Sequence, residues 1–246
     1  MKKGSILLVG VLAMFATSCG FKSEESPLSG TLVTYTAEGT QKGEILLGVK
    51  DKAGKKDKTI VPADTYVSIT ADNNYIICVQ ENADYSVFDL SGNKVGPQTF
   101  HTFSKQPVGD NVFYAGTAAG TSYYYFPGKP EISCTLSYMT AKNLIVQKVS
   151  NIWDVYSYDG TLVWNFPAEA ILIKSAKTEE YVVVAPVVKK KKATVYKLYL
   201  LTSGKELKQL NAYQWKVFKK QLKNPQKLGS TEVYELETVK IEKLTI

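Results

Sequence analysis

Three kinds of side chain in this 246-residue chain could do chemistry: aspartates near turns, one imidazole and a run of four lysines. Asp89, Asp154 and Asp159 stand in or beside turn sequences. Two carboxylates flanking a glycosidic bond would make a glycosidase, but an aspartate in a turn has a simpler use, accepting hydrogen bonds from backbone amides. His101 is the one histidine, so no second imidazole completes a catalytic or metal-binding set. A P-loop, a zinc-protease helix motif, a nucleophile elbow and an EF-hand loop are all missing from the sequence. The expectation is a chain that is not an enzyme and uses neither a metal nor another cofactor.

The remaining candidates suit binding. Lys189, Lys190, Lys191 and Lys192 supply more than half of the net charge of +7 and could meet phosphates, an anionic glycolipid or an acidic partner. They equally suit a solvated hairpin tip. Trp153, in the turn sequence SNIWD, could stack on a sugar or touch a partner, or pack beneath a neighbouring repeat. Cys78 and Cys134 are read either as a disulfide pair across repeats or as two buried thiols.

These residues are positioned by a repeat. The stretch YSVFDLSGNKV, Tyr85 to Val95, reads as a strand, a Ser-Gly turn and a second strand. Aligned on the turn glycine, it recurs at Gly54, Gly92, Gly128, Gly160 and Gly204, with spacings of 38, 36, 32 and 44 residues. A second apolar strand precedes four of these anchors: NYIICVQ, NVFYAG, NLIVQK and YVVVAPVV. The segment from Val233 to Ile241, with Thr238 at the glycine position, reads as a degenerate sixth copy. Residues 211–221 fit a helix or a strand by period, and the repeat frame predicts a strand.

Six copies of about 36 residues each have room for three or four strands, and closing them into a ring leaves no long edge exposed. The fold expected is therefore all-β, a six-bladed propeller-like repeat domain, with five or seven blades or an open β-solenoid as alternatives. In this register Asp84, Trp153 and Lys189 to Lys192 share one rim, the candidate binding rim. The glycine turns, with Lys52, Lys55, Lys94 and Lys205, share the other.

Around the second anchor, TIVPADTYVSI, NYIICVQ and YSVFDLSGNKV in succession resemble a WG-type repeat over Thr59 to Val95, although the Trp-Gly dipeptide itself is absent. The resemblance implies a propeller-like protein used for binding or scaffolding. The N-terminus reads as an export signal: Lys2 and Lys3, an apolar core from Ile6 to Phe15, then Ala16-Thr17-Ser18-Cys19. Cys19 after small residues resembles the lipobox of bacterial lipoproteins and implies lipidation there. Gly20 next to it is similar to lipoproteins sent to an outer membrane. The expected organisation is a signal peptide over residues 1–18, a tether over 19–29 and a β-repeat domain over 30–246. The expected partner is an envelope protein, with a glycan as the alternative; no nucleic acid is expected, and membrane contact only through the N-terminal lipid.

Overall fold

All five anchor glycines adopt positive φ in the computed structural model: 78° at Gly54, 91° at Gly92, 70° at Gly128, 79° at Gly160 and 65° at Gly204. The structure describes residues 24–54, 56–96, 99–106, 112–149, 151–177, 179–187 and 194–236. Each anchor sits in the same place, the turn that follows the third strand of a sheet. The repeat in the sequence is thus a repeat of sheets.

The first sheet runs in chain order through β1 (Glu25–Ser29), β2 (Leu32–Glu38), β3 (Ile45–Asp51) and β4 (Lys58–Asp64). The second has β5 (Tyr66–Ala71), β6 (Tyr75–Gln80) and β7 (Tyr85–Asp89), with a single Phe88–Lys94 bridge where a fourth strand would lie. The third contains β8 (Thr102–Lys105), β9 (Phe113–Gly116), β10 (Ser122–Tyr125) and β11 (Ile132–Cys134). The fourth contains β12 (Leu136–Met139), β13 (Asn143–Val149), β14 (Ile152–Ser157) and β15 (Leu162–Pro167). The fifth opens the same way, with β16 (Ile171–Ser175), β17 (Tyr181–Val187), β18 (Val195–Leu200) and β19 (Glu206–Leu210).

Consecutive sheets are glued face to face by separate apolar clusters. Val49 and Val61 of the first sheet meet Ile76, Cys78 and Phe88 of the second. Tyr75 and Val87, on the other face of that sheet, meet Phe100, Phe103, Phe113 and Tyr125. Tyr124, Ile132 and Cys134 meet Leu144, Val146 and Tyr156, and Ile145, Trp153 and Val155 meet Leu172, Tyr181 and Val183. The second strand of an inner sheet is therefore apolar on both faces, which is why NYIICVQ, NLIVQK and YVVVA read as continuous runs rather than alternating ones.

This is the all-β, propeller-like succession the repeat implied, with five sheets among the described residues rather than six. The C-terminal copy differs from its expected form. After β19 come α1 (Ala212–Lys219), β20 (Lys223–Leu228) and β21 (Thr231–Leu236), and β21 pairs parallel with β16 to extend the fifth sheet to six strands, order β19-β18-β17-β16-β21-β20. Residues 237–241 of that copy lie outside the described residues.

Residues 212–219 are helical, not the strand the repeat frame predicted. The reason lies in the sheet order: β19 and β20 occupy opposite edges, so the chain between them must cross the sheet face. Asn211 starts the helix, its side chain accepting from the Gln214 amide at 2.8 Å while the Gln214 side chain accepts from the Asn211 amide at 2.9 Å. Trp215 and Phe218 then cover Ile173, Val182, Val184, Leu198 and Leu210, the face that a further sheet would otherwise cover.

The start of the chain is corrected too. Glu25–Ser29, expected as tether, forms β1 and pairs antiparallel with β2. Glu25 is held there by Lys50 at 3.6 Å and by Lys52.

Candidate functional site

Within each sheet the strands in chain order alternate in direction, the parallel β16–β21 pair excepted, and single-residue links at Thr65 and Thr135 carry the chain directly into the next sheet. The turns between second and third strands therefore gather at one end of the array, as the sequence register required. The glycine turns gather at the other.

Of the candidate rim residues that the structure describes, Asp84 lies at this end and Trp153 is not exposed there. Asp84, in the β6–β7 turn, is paired with the ring Nδ1 of His101 and accepts from the Asn82 side chain at 2.9 Å. His101, read as solitary, thus has a carboxylate partner. Trp153 is completely buried, a correction to its place on the rim: its indole N–H donates to the Thr231 hydroxyl at 2.7 Å, and that hydroxyl donates to the Ala168 carbonyl at 2.6 Å. Thr231 opens β21, so the strand expected to build a sixth blade instead seals Trp153. Lys189 to Lys192 lie outside the described residues, in the connection between β17 and β18, which pair as far as Val187 opposite Val195. Cys19 also lies outside the described residues.

The turn aspartates are occupied structurally. Partial burial pushes the Asp89 carboxyl up, but hydrogen bonds from the Asn93 side chain and the amides of Asn93, Ser91 and Gly92 outweigh it and hold the group below its ordinary value. The Ser157 hydroxyl and the Thr161 amide lower Asp159 to about 2. Asp154 faces Lys148 at 3.7 Å. Among the described residues no group of three or more His, Cys, Asp or Glu side chains converges as a metal site would. Cys78 and Cys134 are free and buried, and burial pushes their thiols up to about 12 and about 11.

The glycine-turn end holds a cleft the sequence did not point to. A space of about 340 Å³ lies between the first hairpins of the fourth and fifth sheets, lined by Tyr138, Thr140, Lys174, Glu179 and Tyr181. The Tyr138 and Tyr181 hydroxyls lie 2.9 Å apart, with their rings edge to face. Burial first, then the hydrogen bond with Tyr138 and the nearby charges, push Tyr181 well above its ordinary value, so it stays a neutral phenol. Glu179 takes a positive φ of 53°. The set offers hydroxyls, one ammonium and one carboxylate, which can hold a small polar ligand. Its two tyrosines lie on opposite sides of equivalent hairpins in consecutive copies, so only the sheet register brings them together.

Neither a family model nor a curated protein matches this chain. Among solved structures it is similar to the WD40 domain of coronin from Toxoplasma gondii, at 8% identity over 74% of this chain and 56% of that one, with a TM-score of 0.27. A eukaryotic initiation factor gives 9% identity over 78% of this chain and 54% of that one, with a TM-score of 0.29. BamB from Moraxella catarrhalis gives 12% identity over 80% and 62%, with a TM-score of 0.26. The chain spans little more than half the length of the first two. Likenesses at this level carry no argument about function, and the architecture rests on the sheets themselves.

Proposed function

We propose that this chain is a lipid-anchored binding or scaffold protein of the cell envelope, outer membrane in a double-membraned cell, that acts by protein–protein contact and not by catalysis. The observation that carries the proposal is the exposure of apolar side chains at the end of the second-to-third-strand turns. Ile45 and Val67 are each 54% exposed there and Ile152 38%, at the same end as the Asp84–His101 pair. Single exposed apolar residues are ordinary, and the glycine-turn end exposes Leu90, Leu162 and Val163. Ile45 and Val67 are the most exposed large aliphatic side chains among the described residues, and with the polar pair at the same end they suit the apolar centre and polar border of a protein interface. A glycan platform at that rim needed Trp153 exposed, and its burial favours the protein partner.

Anchoring through Cys19 would hold this domain close to its membrane. With β1 starting at Glu25, six residue steps separate lipid from sheet, a reach of roughly 20 Å when fully extended.

The test is crosslinking in cells followed by mass spectrometry, comparing the native chain, Cys19→Ser and Ile45→Lys/Val67→Lys. A discrete envelope protein caught by the native chain and lost with the double variant supports the contact surface. An unchanged catch from the double variant overturns it. A native N-terminus without acyl mass on Cys19 overturns the anchor while leaving the contact surface standing.

A further inference from the structure

The chain contains thirty lysines and no arginine, and they are unevenly placed. Residues 1–173 carry 14 Lys against 16 Asp and Glu, a net −2, and residues 174–246 carry 16 Lys against 7 Glu, a net +9. Within the second part, residues 207–231 hold six lysines and no acidic residue. That stretch comprises most of β19, α1, β20 and the turn into β21.

The fold puts much of this charge on one surface. While Trp215 and Phe218 face the fifth sheet, Tyr213, Lys216 and Lys220 fall at helical spacing on the opposite side of α1 and are exposed, Tyr213 by 74%. The chain continues directly into edge strand β20, where exposed Lys227, opposite Glu232, lies on the α1 side of the sheet, whereas Lys223, opposite Glu235, lies on the other side. Lys219 is paired with Glu232 at 3.0 Å and lies over the Tyr234 ring. Among the described residues no ion pair is formed by Lys216, Lys220 or Lys223. Lysines in the last helical turn favour the helix dipole, which accounts for Lys216 and Lys219 but not for Lys220, Lys223 and Lys227 beyond it.

The chemistry of this surface selects among anionic partners. Arginine forks recognise individual carboxylates and phosphates bidentately, whereas lysine is a point charge on a flexible stem and suits diffuse negative charge. A helix lying across a sheet face beside an edge strand presents a broad surface. Tyrosine has an apolar ring and a polar tip, the combination that settles at headgroup level.

We propose that the helix-capped outer face of the fifth sheet, through Tyr213, Lys216, Lys220 and Lys227, docks on an anionic lipid bilayer. This contact is separate from the N-terminal lipid and does not depend on it. If Cys19 is acylated, the two act together, since one chain plus a basic patch anchors far more firmly than one chain alone.

The experiment uses the full chain carrying Tyr213→Trp, which places an indole on the surface. Trp153 and Trp215 are buried and Trp164 is half-buried, so they form a steady background. Vesicles of brominated phosphatidylcholine are compared with vesicles in which one-third of the lipid is brominated phosphatidylglycerol. Quenching of the added indole is expected in the anionic vesicles, with apparent affinity falling about tenfold or more in high salt and in Lys216→Glu/Lys220→Glu/Lys227→Glu. The charge-matched control Lys56→Glu/Lys105→Glu/Lys142→Glu, on other sheets, should keep most of the quenching, and so should Cys19→Ser. Equal quenching in neutral vesicles, none in either, or equal loss in both triple variants overturns the proposal. Persistence with Cys19→Ser while acylation fails separates this face from the anchor.

Discussion

Gly92 shows what the repeated glycine is for. Its φ of 91° already disfavours any side chain, and a Cβ there would lie 2.2 Å from the Ile60 carbonyl oxygen of the preceding sheet. A Cβ at Gly160 would lie 2.9 Å from the Phe126 side chain and one at Gly204 2.8 Å from Trp164, again of the sheet before, whereas at Gly54, in the first sheet, it would meet nothing within 4 Å. The glycine thus lets a turn bend and, at three of five positions, lets one sheet approach its predecessor. Gly54→Ala should cost about 1 kcal/mol from backbone strain alone. Gly92→Ala should cost about 3 kcal/mol or more, because the clash is with backbone that cannot swing aside. Urea midpoints of the two variants measure the difference, and equal costs would show that the close approach is dispensable. The glycine spacing was legible in the sequence because a turn is a local event. The fate of Trp153 was not, because its hydrogen-bond partner, Thr231, lies 78 residues further on.

At the scale of elements, the middle strands were legible as apolar runs of strand length, and helix α1 was not. Residues 211–221 fit both periods, and the repeat frame favoured the strand. The deciding signal was chemical: Asn211 followed three residues later by Gln214, the two halves of a capping box. Asn211→Ala should therefore lower stability by about 1 kcal/mol. Trp215→Ala should lower it by about 3–5 kcal/mol, since the indole stacks on Tyr196 at 5.1 Å and fills the space over the fifth sheet. Tyr213→Ala, on the solvent side of the same helix, should fall within about 0.5 kcal/mol of the parent. Thermal and urea unfolding of the three variants checks the orientation of the helix, and a large loss at position 213 would mean that it packs the other way. The parallel pairing of β21 with β16 was hidden for a different reason: the degenerate copy matches the strand sequence of its relatives but lacks the turn glycine, and no local signal says which edge such a strand will join.

For the whole molecule, the order of the clusters predicts an order of stability. Each inner sheet is covered on both faces, and the fifth is covered by the fourth sheet on one face and by α1 on the other. Among the described residues the first sheet joins a buried cluster on one face only, and its other face carries Tyr35 across Gly48, with Lys50 4.5 Å above the ring. Repeat proteins of this kind approximate a sum of unit and interface terms, so a unit with one interface should open before units with two. Amides of β2 should therefore exchange with solvent well before those of β13 and β17, whose side chains are buried on both faces. Hydrogen exchange followed by mass spectrometry on the folded chain reads this directly. A protein partner or a membrane that covers the first sheet would slow β2 selectively, whereas one held at the basic α1 face would protect the far end and leave β2 as fast as before. Simultaneous exchange of β2, β13 and β17 would mean instead that the five sheets open as one cooperative unit, with the outer face of the first sheet supported by contacts as strong as those within the array.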